Sequence, residues 1–384
     1  MNQGSWDNMV VLCAGVRWDD VKMADRQMAE HLAAHVPVLY VDPFVSHLSR
    51  LKNPAVAASL KRPRLRIIGP RLARFSPVVP PKPTHPAMVQ IASRVAKRQL
   101  RGAVRELGGS VRAIVSTWLF LDVFGVCGEQ RRVYWWTDDP VGAAALWGHS
   151  AERLAAADER LARASDLIVA VNEGATQRLL ERGLPARYLP NGCDAALFAG
   201  VDDVAPASDV PLGSPLAAFV GHLNSRTDLA LLEGVAEAGI GLLLIGPKDD
   251  TFEPVRFARL ISRPNVAYLG RRPYEELPSY LKLVDVGLVP YGATEFNRWS
   301  FPMKTLEYLA AGRPVVATPL PAIRSLDTDL VTLAETPAEF AASVRRQAEL
   351  ARQPELVARR RAFASTHSWA DRADRLVQLL AQPA

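Results

Sequence analysis

Short β runs alternate with helical patterns from one end of this 384-residue chain to the other, and that alternation limits its fold more than any motif does. Apolar runs of a few residues, separated by segments of 3.6-residue periodicity, build parallel sheets covered on both faces. In the first half, MVVLCAG (9–15), VPVLYVDP (36–43), AIVSTW (113–118), RVYWWTDDP (132–140) and DLIVAVN (166–172) read as strands. Helical segments such as VKMADRQMAEHLAAH and SAERLAAADERLARAS lie between them. RLRIIGPRLARFSPVVPPKPTHP is rich in proline, which cannot donate to a central ladder, so an edge strand and a surface crossing are expected there. The alternation stops at LPNGCDAALFAGVDDVAPASDVPLGSP (189–215), a linker by its Asn-Gly turn, acids and prolines. It restarts with PLAAFVGHL (215–223), GLLLIGP (241–247), NVAYLG (265–270), DVGLVPY (285–291) and PVVAT (314–318). Two α/β units in series follow, in keeping with domains of roughly 150 to 200 residues.

Composition excludes several classes. With 49% hydrophobic and 22% charged residues the chain is an ordinary globular one, not a disordered one. Its longest apolar runs, VVLCAGV (10–16) and GIGLLLIG (239–246), fall well short of the roughly 18 to 20 residues that cross a bilayer. MNQGSWDNMVVLC has neither a basic leader nor a long apolar core, so a cytoplasmic protein is expected. Cys13, Cys127 and Cys193 are odd in number and widely spaced, which suits neither a disulfide framework nor a zinc site.

Charge is unevenly spread. Between Arg50 and Arg105 there are 14 Lys or Arg residues and no Asp or Glu, within a net charge of +6. Such a region attracts an anionic membrane surface, a phosphate-bearing acceptor or nucleic acid, or is simply a solvated basic face. Aromatics hardly interrupt it, which disfavours nucleic acid. SRVAKRQLRGAVRELG has the period of an amphipathic helix, with Ile91, Val95, Leu100, Val104 and Leu107 on or near one side.

The stretch FPMKTLEYLAAGRPVVATPLP (301–321) carries the sharpest chemical signal. Ser300 is a good N-cap, Pro302 suits a first turn, and Gly312 with Pro314 marks the far end, so a helix is expected over about 302 to 311. Its amides at 301 to 304 would be uncapped donors at the positive end of the helix dipole, a site for a diphosphate. Lys304 adds a full charge in the same turn. Glu307 lies on the same face, roughly 4.5 Å along the axis, where a carboxylate can accept from two ribose hydroxyls. The competing role is an i, i+3 salt bridge with Lys304 on a solvated face.

This segment resembles the nucleotide-sugar helix of GT-B glycosyltransferases, in particular the large retaining family of bacterial cell-wall and capsule enzymes, and its subgroup reading "PMK..EYLA.G.PVV". LPNGCDAALF, FVGHL with DLALLEGVAE, LLLIGP, NVAYLGRRPYEELPSYLKLVDVGLVPY, WTDDP, AVNEGATQRLLERG and HSWADRADRLVQLL follow in the family's order. The resemblance implies an α/β GT-B architecture of two Rossmann-like domains with parallel sheets facing across a cleft. On that pattern an acceptor-side domain spans 1–195, a linker 196–214, a donor domain 215–366, and a terminal helix over 367–384 returns to the first domain. The implied activity is transfer of a sugar, a hexose by resemblance, from a UDP- or GDP-type donor to an acceptor hydroxyl on a glycan or lipid-linked molecule. Polysaccharide or glycolipid synthesis for the cell envelope is the implied setting, with a peripheral position on the inner face of the membrane. Retention at the anomeric carbon and independence of any metal or cofactor belong to the same expectation. A GT-B sugar-nucleotide epimerase and a non-catalytic carbohydrate-assembly partner are the alternatives.

The implied donor residues are Phe301, Pro302, Met303, Lys304 and Glu307, joined by Gly221, His222 and Arg226 after the "VG.L" strand. Arg271 and Arg272, after "YLG", are placed against the base. The family's first glutamate falls on Trp299, and Asn297, Arg298 or Ser300 are the candidates to take its place. The histidine common near the family's reacting centre has no counterpart in STWLF. From position alone, Gly15 ends the first strand, where a loop can approach the donor phosphate or the acceptor. Asp138 and Asp139 end a strand at the carboxyl edge where open α/β sheets bind ligands. One of them is expected to orient an acceptor hydroxyl or act as base, with helix capping as the competing role. Trp18, Asp19 and Arg26 are acceptor-side candidates. Asp327-Thr-Asp329 matches a D-x-D, but sits in an expected loop, and the histidines lack ligand spacing, so no metal is expected.

Overall fold

A computed structural model describes residues 5–46, 48–49, 56–58 and 61–382. Arg50 and the LKNPA segment of the basic region lie outside the described residues. The chain divides into two compact units. The first comprises Met1–Val171, Ala175–Leu189 and Arg372–Ala384, the second Asn172–Gly174 and Pro190–Asp371. Residues of the last helix, Trp369–Ala381, are therefore shared between the two groupings.

In the first unit the strands are β1 (Met9–Cys13), β2 (Val38–Val41), β3 (Val45–Ser46), β4 (Leu65–Gly69), β5 (Leu72–Phe75), β6 (Val78–Val79), β7 (Val111–Ser116), β8 (Arg131–Trp136), β9 (Leu167–Ala170) and β10 (Ala186–Tyr188). Eight of them form one sheet in the order β10-β9-β8-β7-β1-β2-β5-β4. All pairs are parallel except β4 with β5, and β1, β2 and β9 are buried along their whole length. Burial on both faces explains why those strands read as unbroken apolar runs instead of alternating ones. The proline-rich stretch supplies an edge strand, as expected, and that strand runs antiparallel to β5.

The helix Pro86–Leu107 departs from expectation in its buried face. Ala92, Ala96, Leu100, Ala103 and Val104 are buried, whereas Ile91 is 45% exposed. Alanines let the helix approach closely, so its contact face is set by small residues about 100° round from Ile91.

The second unit holds β11 (Leu216–Val220), β12 (Gly241–Ile245), β13 (Val266–Gly270), β14 (Val286–Val289), β15 (Val315–Ala317) and β16 (Val331–Leu333). They form an all-parallel sheet in the order β13-β12-β11-β14-β15-β16. Strand order reverses between β11 and β14, and open parallel sheets bind ligands at the carboxyl ends of such strands.

Tyr308 keeps those ends apart. β11 and β14 pair only at Ala217 with Val286 and Ala218 with Gly287. Beyond that, the buried Tyr308 hydroxyl accepts from the Val220 amide at 2.8 Å and donates to the Ala218 carbonyl at 3.2 Å. Gly287 makes room for the ring, because a Cβ there would lie 2.3 Å from Tyr308 Cγ. Tyr308→Phe should leave a buried donor and acceptor unpaired and cost about 1 to 3 kcal/mol. Thermal unfolding checks this; an unchanged midpoint would mean that the strands close on each other.

Candidate functional site

The helix that follows β14 and a short connecting helix runs Met303–Ala310, with Pro302 as its N-cap and no side chain capping its start. Gly312, at φ +74°, ends it in the left-handed conformation expected just beyond a helix. Ser300 is not the cap. It closes the preceding helix Glu295–Trp299, and its backbone is extended at φ −82°, ψ 161°. The donor set at the start also shrinks, since Pro302 has no N–H. Among residues 301 to 304, Phe301, Met303 and Lys304 carry amides. A positive helix end without a side-chain cap remains, directed by β14 and β15 packing beneath it.

Glu307 is buried, only 4% exposed. Its Oε2 receives Lys304 Nζ at 2.5 Å, and its Oε1 receives the Tyr274 hydroxyl at 3.1 Å. The lysine ammonium also lies 5.4 Å from the Tyr274 ring centroid. The i, i+3 salt bridge read from the sequence forms, but on a buried carboxylate and not on a solvated face. Burial first, and the Glu307 charge next, push the Tyr274 phenol well above its usual range, so it stays a donor. A carboxylate has about four acceptor positions, so two remain for other donors beside these partners. Tyr274 was not singled out by sequence reading. Its only signal there is its place within RRPYEEL.

Arg226 reaches the same helix start from the loop after β11. Its guanidinium donates from Nε to Asn297 Oδ1 at 3.0 Å and from Nη2 to Ser300 Oγ at 3.2 Å. It lies 4.5 Å from the Phe296 ring centroid and 5.0 Å from that of Tyr291. Asn297, wholly buried, returns both amide hydrogens to the carbonyls of Arg226 and Gly292. Asn297 and Ser300 therefore hold the arginine. Arg298 is exposed and pairs with Glu295, and Trp299 donates to that same glutamate at 2.8 Å.

Other donor candidates have local duties. Gly221 is spatially fixed, since a Cβ at Gly246 would lie 1.8 Å from its carbonyl oxygen and one at Gly221 would meet Phe219 at 2.9 Å. Exposed His222 pairs with Asp249 at 2.6 Å. Arg271 is exposed. Arg272 is turned to the linker, donating to Asp209 at 2.8 Å and Tyr280 at 2.7 Å, so its head group is not presented to a base.

In the first unit Gly15 follows β1, but its amide and that of Val16 donate to Asp25 Oδ2 at 2.7 and 3.0 Å. Asp25 holds that loop. Trp18 donates its amide to Asp42, stacks edge-on with Tyr40 and sits under the Arg26 guanidinium at 4.8 Å. Asp19, half exposed, pairs with buried Arg74 at 2.8 Å. Burial works to raise the Asp19 carboxyl, and Arg74 more than offsets it, holding the group below its usual range. Asp139 is buried and caps the following turn, accepting from the amides of Val141 and Gly142 at 3.2 Å each. For that residue the capping role prevails over a base. Asp138, beside it, is half-buried. Asp329 of the D-x-D pairs with Arg359 at 2.8 Å.

Asp25 gives a pH test of this loop. Burial raises its carboxyl to about 6, against two amide donors that favour the ionised form. A raised value means the folded chain binds the proton more tightly, so this stabilisation is full below about 4 and lost as pH rises through 6, about 3 kcal/mol in all. Asp25→Asn should flatten the decline of the melting temperature between those limits. A variant with the wild-type profile contradicts the assignment.

Comparison with solved structures places the architecture. Sucrose-phosphate synthase from Thermosynechococcus elongatus superposes with a TM-score of 0.72 at 17% identity, covering 97% of this chain and 98% of that one. The fold is GT-B. Anabaena Alr3699/HepE in complex with UDP gives a TM-score of 0.68 at 14% identity over 98% of this chain and 99% of that one. A trehalose-6-phosphate protein from E. coli bound with UDP-2-fluoro glucose gives 0.70 at 13% identity over 98% and 99%. Residues 215–349, within the second unit, match the family described as "Glycosyl transferases group 1". A curated relative, the putative teichuronic acid biosynthesis glycosyltransferase TuaH of Bacillus subtilis (strain 168), is 32% identical over 145 residues. That match covers 37% of this chain and 36% of TuaH, about a third of each. The two-sheet GT-B architecture expected from the motifs is the one found.

Proposed function

We propose that this GT-B protein moves a hexosyl group from a UDP- or GDP-sugar to a hydroxyl of a glycan or lipid-linked acceptor in cell-envelope polysaccharide or glycolipid synthesis. Transfer proceeds with retention and without a metal or other cofactor, at the inner face of the cell membrane. The observation that carries this reading is one buried carboxylate, Glu307, held by Lys304 and Tyr274 one turn inside a helix start without a side-chain cap.

The diphosphate rests on the amides of Phe301, Met303 and Lys304, and Glu307 accepts from the ribose hydroxyls. As the glycosyl bond breaks, negative charge grows on the diphosphate. Lys304 and Arg226, already fixed by their partners, meet that charge without reorganising, which is how preorganised donors lower a barrier. The acceptor is held by the first unit through the loops at the carboxyl ends of β1 and β8, with Trp18, Asp19 and Asp138 as the contact residues. HepE and the E. coli protein are described as bound to UDP and a UDP-sugar, which supports the choice of donor class.

Incubation with a panel of UDP- and GDP-sugars tests the reading. Nucleoside diphosphate release that depends on a glycan or lipid-linked acceptor is expected, at a rate unchanged by a chelator. Interconversion of free sugar nucleotides with no acceptor would replace transfer by epimerisation.

A further inference from the structure

The helix Pro86–Leu107 carries a second organised surface, on the side away from its alanine contact face. Arg94, Arg98, Arg101 and Arg105 are all exposed, and their spacing of four, three and four residues sets them in one narrow stripe. The stripe is roughly 16 Å long, at 1.5 Å of rise per residue. Ile91, 45% exposed, continues it toward the helix start. Lys61, Arg62 and Arg64 are exposed beside it, because Arg64 Nη1 donates to Gln99 on the same helix at 3.3 Å. Three acids lie near it: Asp122 is paired with Lys97 at 2.5 Å, Glu129 accepts from the amides of Gly125 and Cys127 in the turn that Arg101 touches, and Glu106 follows the stripe at the helix end. Arg101 also donates through Nε to the Val126 carbonyl at 2.9 Å, which orients its head group without neutralising it.

We infer that this stripe docks the protein on an anionic lipid bilayer, with Ile91 entering the interface and the arginines meeting lipid phosphates. The inference deepens the membrane setting proposed above by naming the surface that makes contact. A flat, regularly charged helix face with an aliphatic residue at one end fits a sheet of headgroups. Nucleic acid is disfavoured, since Phe75 is the only aromatic residue between Arg50 and Arg105 and it is 4% exposed, so no base can stack.

The test uses the full chain with phosphatidylglycerol-rich vesicles, phosphatidylcholine vesicles and a DNA duplex. Sedimentation with the anionic vesicles at about 50 mM salt, lost at about 500 mM and absent with the neutral ones, is expected from Debye screening. The triple variant R94Q/R98Q/R105Q should bind about a hundredfold more weakly, at about fivefold per arginine. Its nucleoside diphosphate affinity should be unchanged, which separates failure of this inference from failure of the donor-site reading. Equal binding to both vesicle types, wild-type binding by the triple variant, or tighter binding to the duplex would each overturn it.

Discussion

Glu307→Ala is expected to weaken UDP or GDP binding by about 1.5 to 3 kcal/mol, roughly ten- to hundredfold, the range for hydrogen bonds made to a charged group. The effect is large because the carboxylate is buried and its direction is fixed by two partners, Lys304 at 2.5 Å and Tyr274 at 3.1 Å. A ribose meeting it pays little further ordering cost. Removal also leaves the Tyr274 hydroxyl without its acceptor, so the melting temperature of the variant is measured alongside calorimetric titration. If affinity holds while stability falls, Glu307 serves only to tie Lys304 and Tyr274 together.

Arg226→Ala should lower kcat by roughly a hundred- to thousandfold, the usual loss when one preorganised donor to developing charge is removed. Arg226→Lys should recover only part of that. Lysine keeps the charge but replaces the planar fork, which spans Asn297 and Ser300 and sits over the Tyr291 and Phe296 rings, with a compact ammonium. Single-turnover kinetics with saturating donor separates this from a binding defect. Full activity in the lysine variant would show that a positive charge alone suffices and that the planar fork is irrelevant.

Much of the fold was legible because it depends on patterns local in sequence. Strands buried on both faces read as apolar runs, and the break at the linker divided them into two groups. The helix bearing Lys304 and Glu307 was legible for the same reason, its face being set by spacing. What was hidden depends on contacts between distant segments. Tyr308 is one more apolar position in the sequence, yet its hydroxyl takes the place of a partner strand beside Val220 and Ala218 of β11, 88 and 90 residues away. Tyr274 reaches Glu307 across 33 residues, and Asn297 and Ser300 hold Arg226 across 71 and 74. The misplaced N-cap has a local cause: Ser300 was read as opening a helix, whereas a short helix before it uses that residue as its end. Asp139 shows the limit of reading strand ends. A carboxylate after a strand satisfies turn amides as readily as it serves chemistry, and the sequence is the same in both cases.

The most direct measurement is a crystal structure of the protein with UDP or GDP. The account predicts diphosphate oxygens on the amides of Phe301, Met303 and Lys304, the Arg226 guanidinium beside them, and both ribose hydroxyls on Glu307. A nucleotide bound elsewhere, or a Glu307 carboxylate that touches no ribose, would contradict it.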